Sequence, residues 1–96
     1  MSPKVGIIIL HYGSLTTTIE CLQSVFALDY PVFETIVVNN SLLPTDGKTL
    51  REYFPKITLL STPENLGYAE GNNQGVAYAI KHDCAYVLLL NNDTVI

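Results

Sequence analysis

The residues best placed to do chemistry gather at the end of the chain. Asp93 follows an apolar run, Ala85 to Leu90, and two carboxamides, Asn91 and Asn92. A carboxylate in that setting offers hard oxygen, which suits Mg²⁺ or Mn²⁺ and, through the metal, a diphosphate. The pair Asp93-Thr94 equally suits an Asx turn or a helix cap. Local sequence leaves both readings open. Three other polar segments also follow apolar runs: His11-Tyr12-Gly13-Ser14, Asn39-Asn40-Ser41, and Pro63-Glu64-Asn65-Leu66-Gly67-Tyr68. Each alone could be a turn. If the runs are strands of one open α/β sheet, all four segments lie at strand carboxyl ends, where such sheets bind ligands.

Known nucleotide motifs do not account for them. Gly47-Lys48-Thr49 resembles the end of a phosphate-binding loop, but Leu42 occupies the position of that loop's first glycine. The G-x-G-x-x-G fingerprint is absent after the first run, where Gly13 stands alone. His11 either lines the edge of a site or simply ends a strand. His82 reads as a helix C-terminal residue. Asn39-Asn40-Ser41 and Asn92-Asp93-Thr94 match the glycosylation sequon, but the N-terminus lacks the features of a secretory signal, so both are set aside.

The elements that position these segments follow from patterning. Val5 to Leu10, Thr35 to Val38, Ile57 to Leu60 and Tyr86 to Leu90 are near-continuous apolar runs rich in β-branched residues. Strands covered on both faces of a parallel sheet have this character. Leu15 to Leu28 places Ile19, Leu22, Val25 and Phe26 on one helical face. One of Thr16, Thr17 or Thr18 caps that helix, Glu20 falls in its first turn, and Asp29-Tyr30-Pro31 ends it. Thr45 to Phe54 is a short helix stopped by Pro55. Gly67 to His82 is a third, with Val76, Ala77 and Ile80 on one side. Gly71 and Gly75, four residues apart, imply close packing of that helix on the sheet, and Gly67 a turn at its start. Asn72 and Asn73 are poor helix formers; unless exposed, they should bond to the loops above the sheet. The order β-α-β-α-β-α-β implies right-handed crossovers and a doubly wound sheet.

Composition bounds the rest. The 96 residues carry 5 Lys+Arg against 9 Asp+Glu, a formal charge of −4, which argues against a nucleic-acid partner. With 48% apolar and 15% charged residues, the chain can pack one small core and is too apolar for disorder. No apolar run approaches the ~20 residues that span a bilayer. Cys21 and Cys84 show neither C-x-x-C nor metal spacing and read as reduced core thiols of a cytosolic protein. The chain stops directly after the fourth run without a closing helix, which reads as a piece of a longer protein.

Taken together, these residues resemble the nucleotide-binding half of family 2 glycosyltransferases of the GT-A fold, from about Val5 to Thr94. Glu20-Cys21-Leu22-Gln23-Ser24-Val25 is similar to the family's "ecLeSl" stretch, and Ile36-Val37-Val38-Asn39-Asn40-Ser41 to its "iVVDNxS". Asn65 to Gly75 resembles "NxGfaxGnNxG", and Leu89-Leu90-Asn91-Asn92-Asp93-Thr94 resembles "LLNxDT", the variant DXD motif of a rhamnosyltransferase-like branch. The last two motifs are specific in combination.

The resemblance implies a three-layer αβα, Rossmann-like, mostly parallel sheet in the order 3-2-1-4, truncated here, with residues 1–96 forming the donor-binding half. It implies that His11 and Tyr12 border the base, and that Asn39 accepts from a base N–H where the family usually has Asp. Asn65, Gly71 and Asn73 shape the nucleotide pocket, Asn91 holds the first DXD place, and Asp93 ligates Mg²⁺ or Mn²⁺. Asn39 loses charge-assisted strength, Gly13 replaces a common Asn, and Asn91 weakens the metal site.

The implied activity is inverting transfer of a sugar from a UDP-, dTDP- or GDP-sugar to the hydroxyl of a glycan or lipid-linked acceptor, in cell-surface polysaccharide biosynthesis. No catalytic residue is expected in this chain, because the family's base lies in the acceptor half, beyond Ile96. The fragment alone is therefore expected to be inactive. The protein is expected in the cytoplasm, the full-length form peripheral at the inner membrane. A homodimer through the exposed fourth strand is a further expectation. The competing reading is a non-catalytic α/β nucleotide-binding or interaction module. Its receiver-like version fails, because the first and third strands end in His11-Tyr12 and Ser61-Thr62 rather than acids. A nucleotidyltransferase would want a glycine-rich signature after the first strand.

Overall fold

The computed structural model describes residues 3–28, 33–41, 44–61 and 67–93. Along the chain run β1 (Val5–His11), α1 (Leu15–Phe26), β2 (Phe33–Asn39), α2 (Pro44–Tyr53), β3 (Thr58–Ser61), α3 (Gly67–Lys81) and β4 (Tyr86–Asn91). The strands form one parallel sheet in the order β3-β2-β1-β4, as the resemblance implied. Ile7 pairs with Thr35 on one side and Leu88 on the other, and His11 reaches the level of Asn39. The carboxyl ends of β1, β2 and β4 therefore finish nearly level.

Side chains alternate along each strand, so β1 and β2 feed two separate cores. Ile7, Ile9 and Val37 pack with Cys21, Leu22 and Val25 of α1 and Leu50 of α2. Ile8, Leu10, Ile36 and Val38 pack on the opposite face with Ala79 of α3. Burial of each such Val, Leu or Ile stabilises the fold by roughly 1.5–3 kcal/mol. Phe26 stacks on Phe54 at 5.6 Å between centroids, closing the first core at the amino ends of the strands. No helix among the described residues is long and apolar enough to cross a membrane.

Several local expectations are corrected. The cap of α1 is Ser14, not a threonine: its backbone is extended, and its hydroxyl accepts from the Thr17 N–H at 3.3 Å. Thr18 is buried instead, and Glu20 lies beyond the first turn. The stop at Asp29-Tyr30-Pro31 falls outside the described residues. The packed side of α3 is Gly71, Asn72, Gly75 and Ala79, with Val76 and Tyr78 partly buried; Ala77 and Ile80 face outward. A Cβ at Gly71 would lie 2.5 Å from Leu10 Cδ1, and one at Gly75 would lie 2.5 Å from Ile8 Cγ2. The helix comes so close to the sheet through its glycines that larger neighbours turn away.

β4 is the exposed strand that was expected, although its apolar run alone reads as a strand covered on both faces: Tyr86, Val87, Leu88 and Leu89 are 63%, 37%, 42% and 46% exposed. Among the described residues its only strand neighbour is β1. Cys21 is buried and Cys84 half-buried, and neither forms a disulfide. Burial pushes the Cys84 thiol above its ordinary pKa, so it stays uncharged.

Candidate functional site

At the carboxyl ends of the strands, polar side chains replace the core. His11 is the last residue of β1 and is fully buried. Its Nδ1 lies 2.6 Å from Thr18 Oγ1 and its Nε2 lies 2.8 Å from Asp46 Oδ2. Asn92 Nδ2 donates to Thr18 Oγ1 at 3.0 Å and to the Tyr12 carbonyl at 2.7 Å. Ser41 Oγ donates to Asp46 Oδ2 at 3.4 Å, and the Ser41 N–H donates to Asn39 Oδ1 at 3.2 Å. The Asn40 N–H donates to the His11 carbonyl at 2.9 Å, which carries the β1–β2 pairing one step past the strand.

Local sequence explains how these groups arrive. Asp46 sits in the first turn of α2, where the helix dipole favours a carboxylate. Pro44 begins that helix, where a missing N–H does no harm. Gly47 lets α2 approach the end of β2: a Cβ there would lie 3.1 Å from Asn39 Nδ2. Gly13 has φ +69°, the left-handed region that glycine and asparagine tolerate best. It turns the chain from β1 into α1 and so brings Thr18 over His11.

The expected site residues fall into distinct positions. Tyr12 is exposed, whereas the His11 ring lies beneath the surface with both nitrogens engaged. Of the two side chains, only that of Tyr12 is open to solvent. Asn39 and Asn40 are buried at the end of β2, and Gly71 is buried against Leu10. Asn73 is exposed, while its neighbour Asn72 is 5% exposed and its Oδ1 has no hydrogen-bond partner among the described residues. Asn91 and Asp93 are exposed on either side of buried Asn92. Asn65 lies outside the described residues.

Three participants were not anticipated as site residues: Thr18, Asp46 and Asn92. A carboxylate in the first turn of the helix that follows Asn39-Asn40-Ser41 was the available signal for Asp46. Thr18 had been considered only as a cap, and Asn92 only as a companion of Asp93.

No group of three or more His, Cys, Asp or Glu able to hold a metal occurs among the described residues. A divalent cation here would rest on one carboxylate, Asp93, and the neighbouring Asn91 amide. That donor set fits Mg²⁺ or Mn²⁺, which bind through one or two carboxylates and complete their shell with phosphate oxygens and water. A cavity of about 560 Å³ opens at the other end of the sheet, lined by Lys4, Glu34, Thr35, Lys56 and Thr58 among others. The convergent polar groups are at the carboxyl ends, so those ends, not this cavity, form the candidate site.

Comparisons with known proteins agree with this fold. The family model "Glycosyl transferase family 2" matches residues 6–96. A search of curated proteins found no match. Among solved structures, the chain is similar to S. aureus TarS 1-349, with a TM-score of 0.82 and 23% identity over 97% of this chain and 28% of that one. It is also similar to the mannosyltransferase PcManGT from Pyrobaculum calidifontis, solved with GDP-Man and Mn²⁺: TM-score 0.77 and 25% identity, over 99% of this chain and 29% of that one. The chain thus spans less than a third of either structure.

Proposed function

Since the chain belongs to glycosyl transferase family 2, we propose that it forms the donor-binding half of an inverting sugar transferase. The observation that carries this reading is the convergence of Tyr12, Asn39, Asn40, Asn91 and Asp93 at level strand ends, with Asn92 pinning the Asn-Asn-Asp turn to β1 and α1.

In this reading the donor is a UDP-, dTDP- or GDP-sugar. Tyr12 and the end of β2, including Asn39, border the base. Gly71 shapes the pocket by bringing the first turns of α3 against Leu10. The buried, unpartnered Asn72 Oδ1 adds an acceptor on that side. Asp93 and Asn91 would hold Mg²⁺ or Mn²⁺, which when bound would supply positive charge to the departing nucleoside diphosphate. A base from the acceptor half deprotonates an acceptor hydroxyl, whose oxygen displaces the nucleotide from the anomeric carbon with inversion. The acceptor is a glycan or lipid-linked sugar, and the branch is the rhamnosyltransferase-like one indicated by Asn91-Asn92-Asp93-Thr94. The setting is cell-surface polysaccharide synthesis at the cytoplasmic face of the inner membrane.

Calorimetric titration of UDP, GDP and dTDP, each with and without Mn²⁺, tests the reading. Manganese-dependent binding of at least one nucleotide is expected. Asp93→Ala should weaken it about tenfold or more, which corresponds to ~1.4 kcal/mol, while leaving the fold intact because Asp93 is exposed. Metal-independent binding, or an Asp93→Ala variant that binds unchanged, overturns the assignment of Asp93.

A further inference from the structure

The buried groups beneath the site form one continuous hydrogen-bonded chain, and its polarity can be worked out. Asn92 Nδ2 can only donate, so Thr18 Oγ1 accepts from it. The Asp46 carboxylate can only accept, so His11 Nε2 carries a proton. Where His11 Nδ1 is bare, the hydroxyl proton of Thr18 is directed to it at 2.6 Å. This arrangement gives each of the four side chains a matched partner. Donation runs one way, from Asn92 through Thr18 and His11 to Asp46.

The two ends of this chain belong to different parts of the site. Asn92 lies between the two residues proposed to face the cation, and it also holds the Tyr12 carbonyl. Asp46 receives Ser41 Oγ at the end of β2, where Asn39 and Asn40 sit. His11 and Thr18 are fully buried and therefore touch no ligand. We propose that Thr18 and His11 are positioning residues that couple the metal-side turn at Asn91–Asp93 to the base-side loop at 39–41, so that a nucleoside diphosphate meets both ends in fixed register.

This inference rests on the donor-site reading above, but it can be tested apart from it. The first measurement is structural and needs no nucleotide. Nitrogen-15 NMR of the His11 ring should show a protonated Nε2 and a bare Nδ1. Asp46→Asn should shift the side-chain amide signals of Asn92, although the two residues share no contact. In a Thr18→Val background, which removes the hydroxyl at nearly constant volume, the same Asp46→Asn change should leave Asn92 unmoved. A response of Asn92 that persists in the Thr18→Val background, or one absent from the parent, overturns the coupling. Should Thr18→Val fail to fold, Thr18→Ser carries the test, because it keeps the hydroxyl and must retain the Asn92 response.

The second measurement is affinity for UDP, GDP or dTDP with Mn²⁺. Thr18→Val should weaken it about three- to tenfold, as expected for one misaligned hydrogen-bond chain, and Thr18→Ser should restore it. Unchanged affinity in Thr18→Val overturns the positioning role. Failure of the parent chain to bind any of the three nucleotides overturns the donor-site reading instead, and the Asn92 response still decides the coupling.

Discussion

At the scale of single residues, Gly75 and Gly71 show how one substitution can have opposed effects. Alanine in place of a helical glycine favours the helix by ~1 kcal/mol. At either position it also drives a Cβ to 2.5 Å from a side chain of β1. The outcome depends on what it meets. At Gly75 it meets Ile8 Cγ2, which is attached to a β-branched carbon held in one rotamer by the core. At Gly71 it meets Leu10 Cδ1, the far end of a side chain that can swing. Overpacking of a rigid core costs ~1–3 kcal/mol. Gly75→Ala should therefore lose ~1–2 kcal/mol net, and Gly71→Ala clearly less. Urea unfolding of both variants checks this; a Gly75→Ala chain more stable than its parent would show that α3 can slide off the sheet. His11 carries the same lesson for the site. A polar residue that ends a strand can look like a ligand contact and yet serve beneath it, because its two ring nitrogens are claimed by side chains 7 and 35 residues away.

At the scale of elements, the amino ends of the strands are tied by a lysine–glutamate pair as the carboxyl ends are tied by the His11–Asp46 network. Lys4 Nζ lies 2.8 Å from Glu34 Oε1 and donates to the His82 carbonyl, while Thr58 Oγ1 donates to Glu34 Oε2. These contacts link the residue before β1 with β2, β3 and the end of α3. Partial burial alone would raise the Glu34 carboxyl, but the hydrogen bonds from Lys4 and Thr58 outweigh it and hold the pKa below its ordinary value. The unfolded chain then binds the proton more readily. The contribution of Glu34 is present above the ordinary carboxylate range and is lost as pH falls through the depressed value. Lys4, raised chiefly by its bond to Glu34, contributes below its ordinary pKa and loses that contribution as pH rises through the raised one. Glu34→Gln should therefore flatten the acid limb of stability, seen as a smaller fall in urea midpoint between about pH 6 and pH 3; an unaltered acid limb would refute it. The strands themselves were legible because β-branched apolar runs mark a parallel sheet wherever they occur. The packed side of α3 was not, because glycine packs by absence and leaves no apolar signature. The segments at the strand ends were also legible, as polar stretches after each run. The contacts among Asn92, Thr18, His11 and Asp46 were not, since they join residues up to 74 positions apart and no local pattern records them.

At the scale of the whole molecule, the sheet is asymmetric. On one flank β3 is short and partly covered, whereas β4 presents a six-residue edge whose four leading residues are at least a third exposed. Leu88 lies level with Ile7 and Leu89 with Ile8, so the two leucines point to opposite faces of the sheet, and both stay more than a third exposed. The edge carries no Lys, Pro or inward charge, the usual devices against strand pairing. Two copies of this chain can join these edges about a two-fold axis, which makes the contact antiparallel and extends one sheet through both. Backbone bonds contribute ~1 kcal/mol each, and burial of Tyr86, Val87, Leu88 and Leu89 adds ~25 cal/mol for each Å² removed from water. Self-association of the isolated chain is the expected outcome. Light scattering after size exclusion should give a mass near twice 10.6 kDa at high concentration. Leu89→Lys should return it to the monomer without unfolding it, because a lysine at a half-exposed edge can extend its ammonium into water. A parent chain that stays at 10.6 kDa at every concentration would exclude the pairing. A dimer untouched by Leu89→Lys would place the contact elsewhere, with exposed Ile80 on α3 the next position to alter.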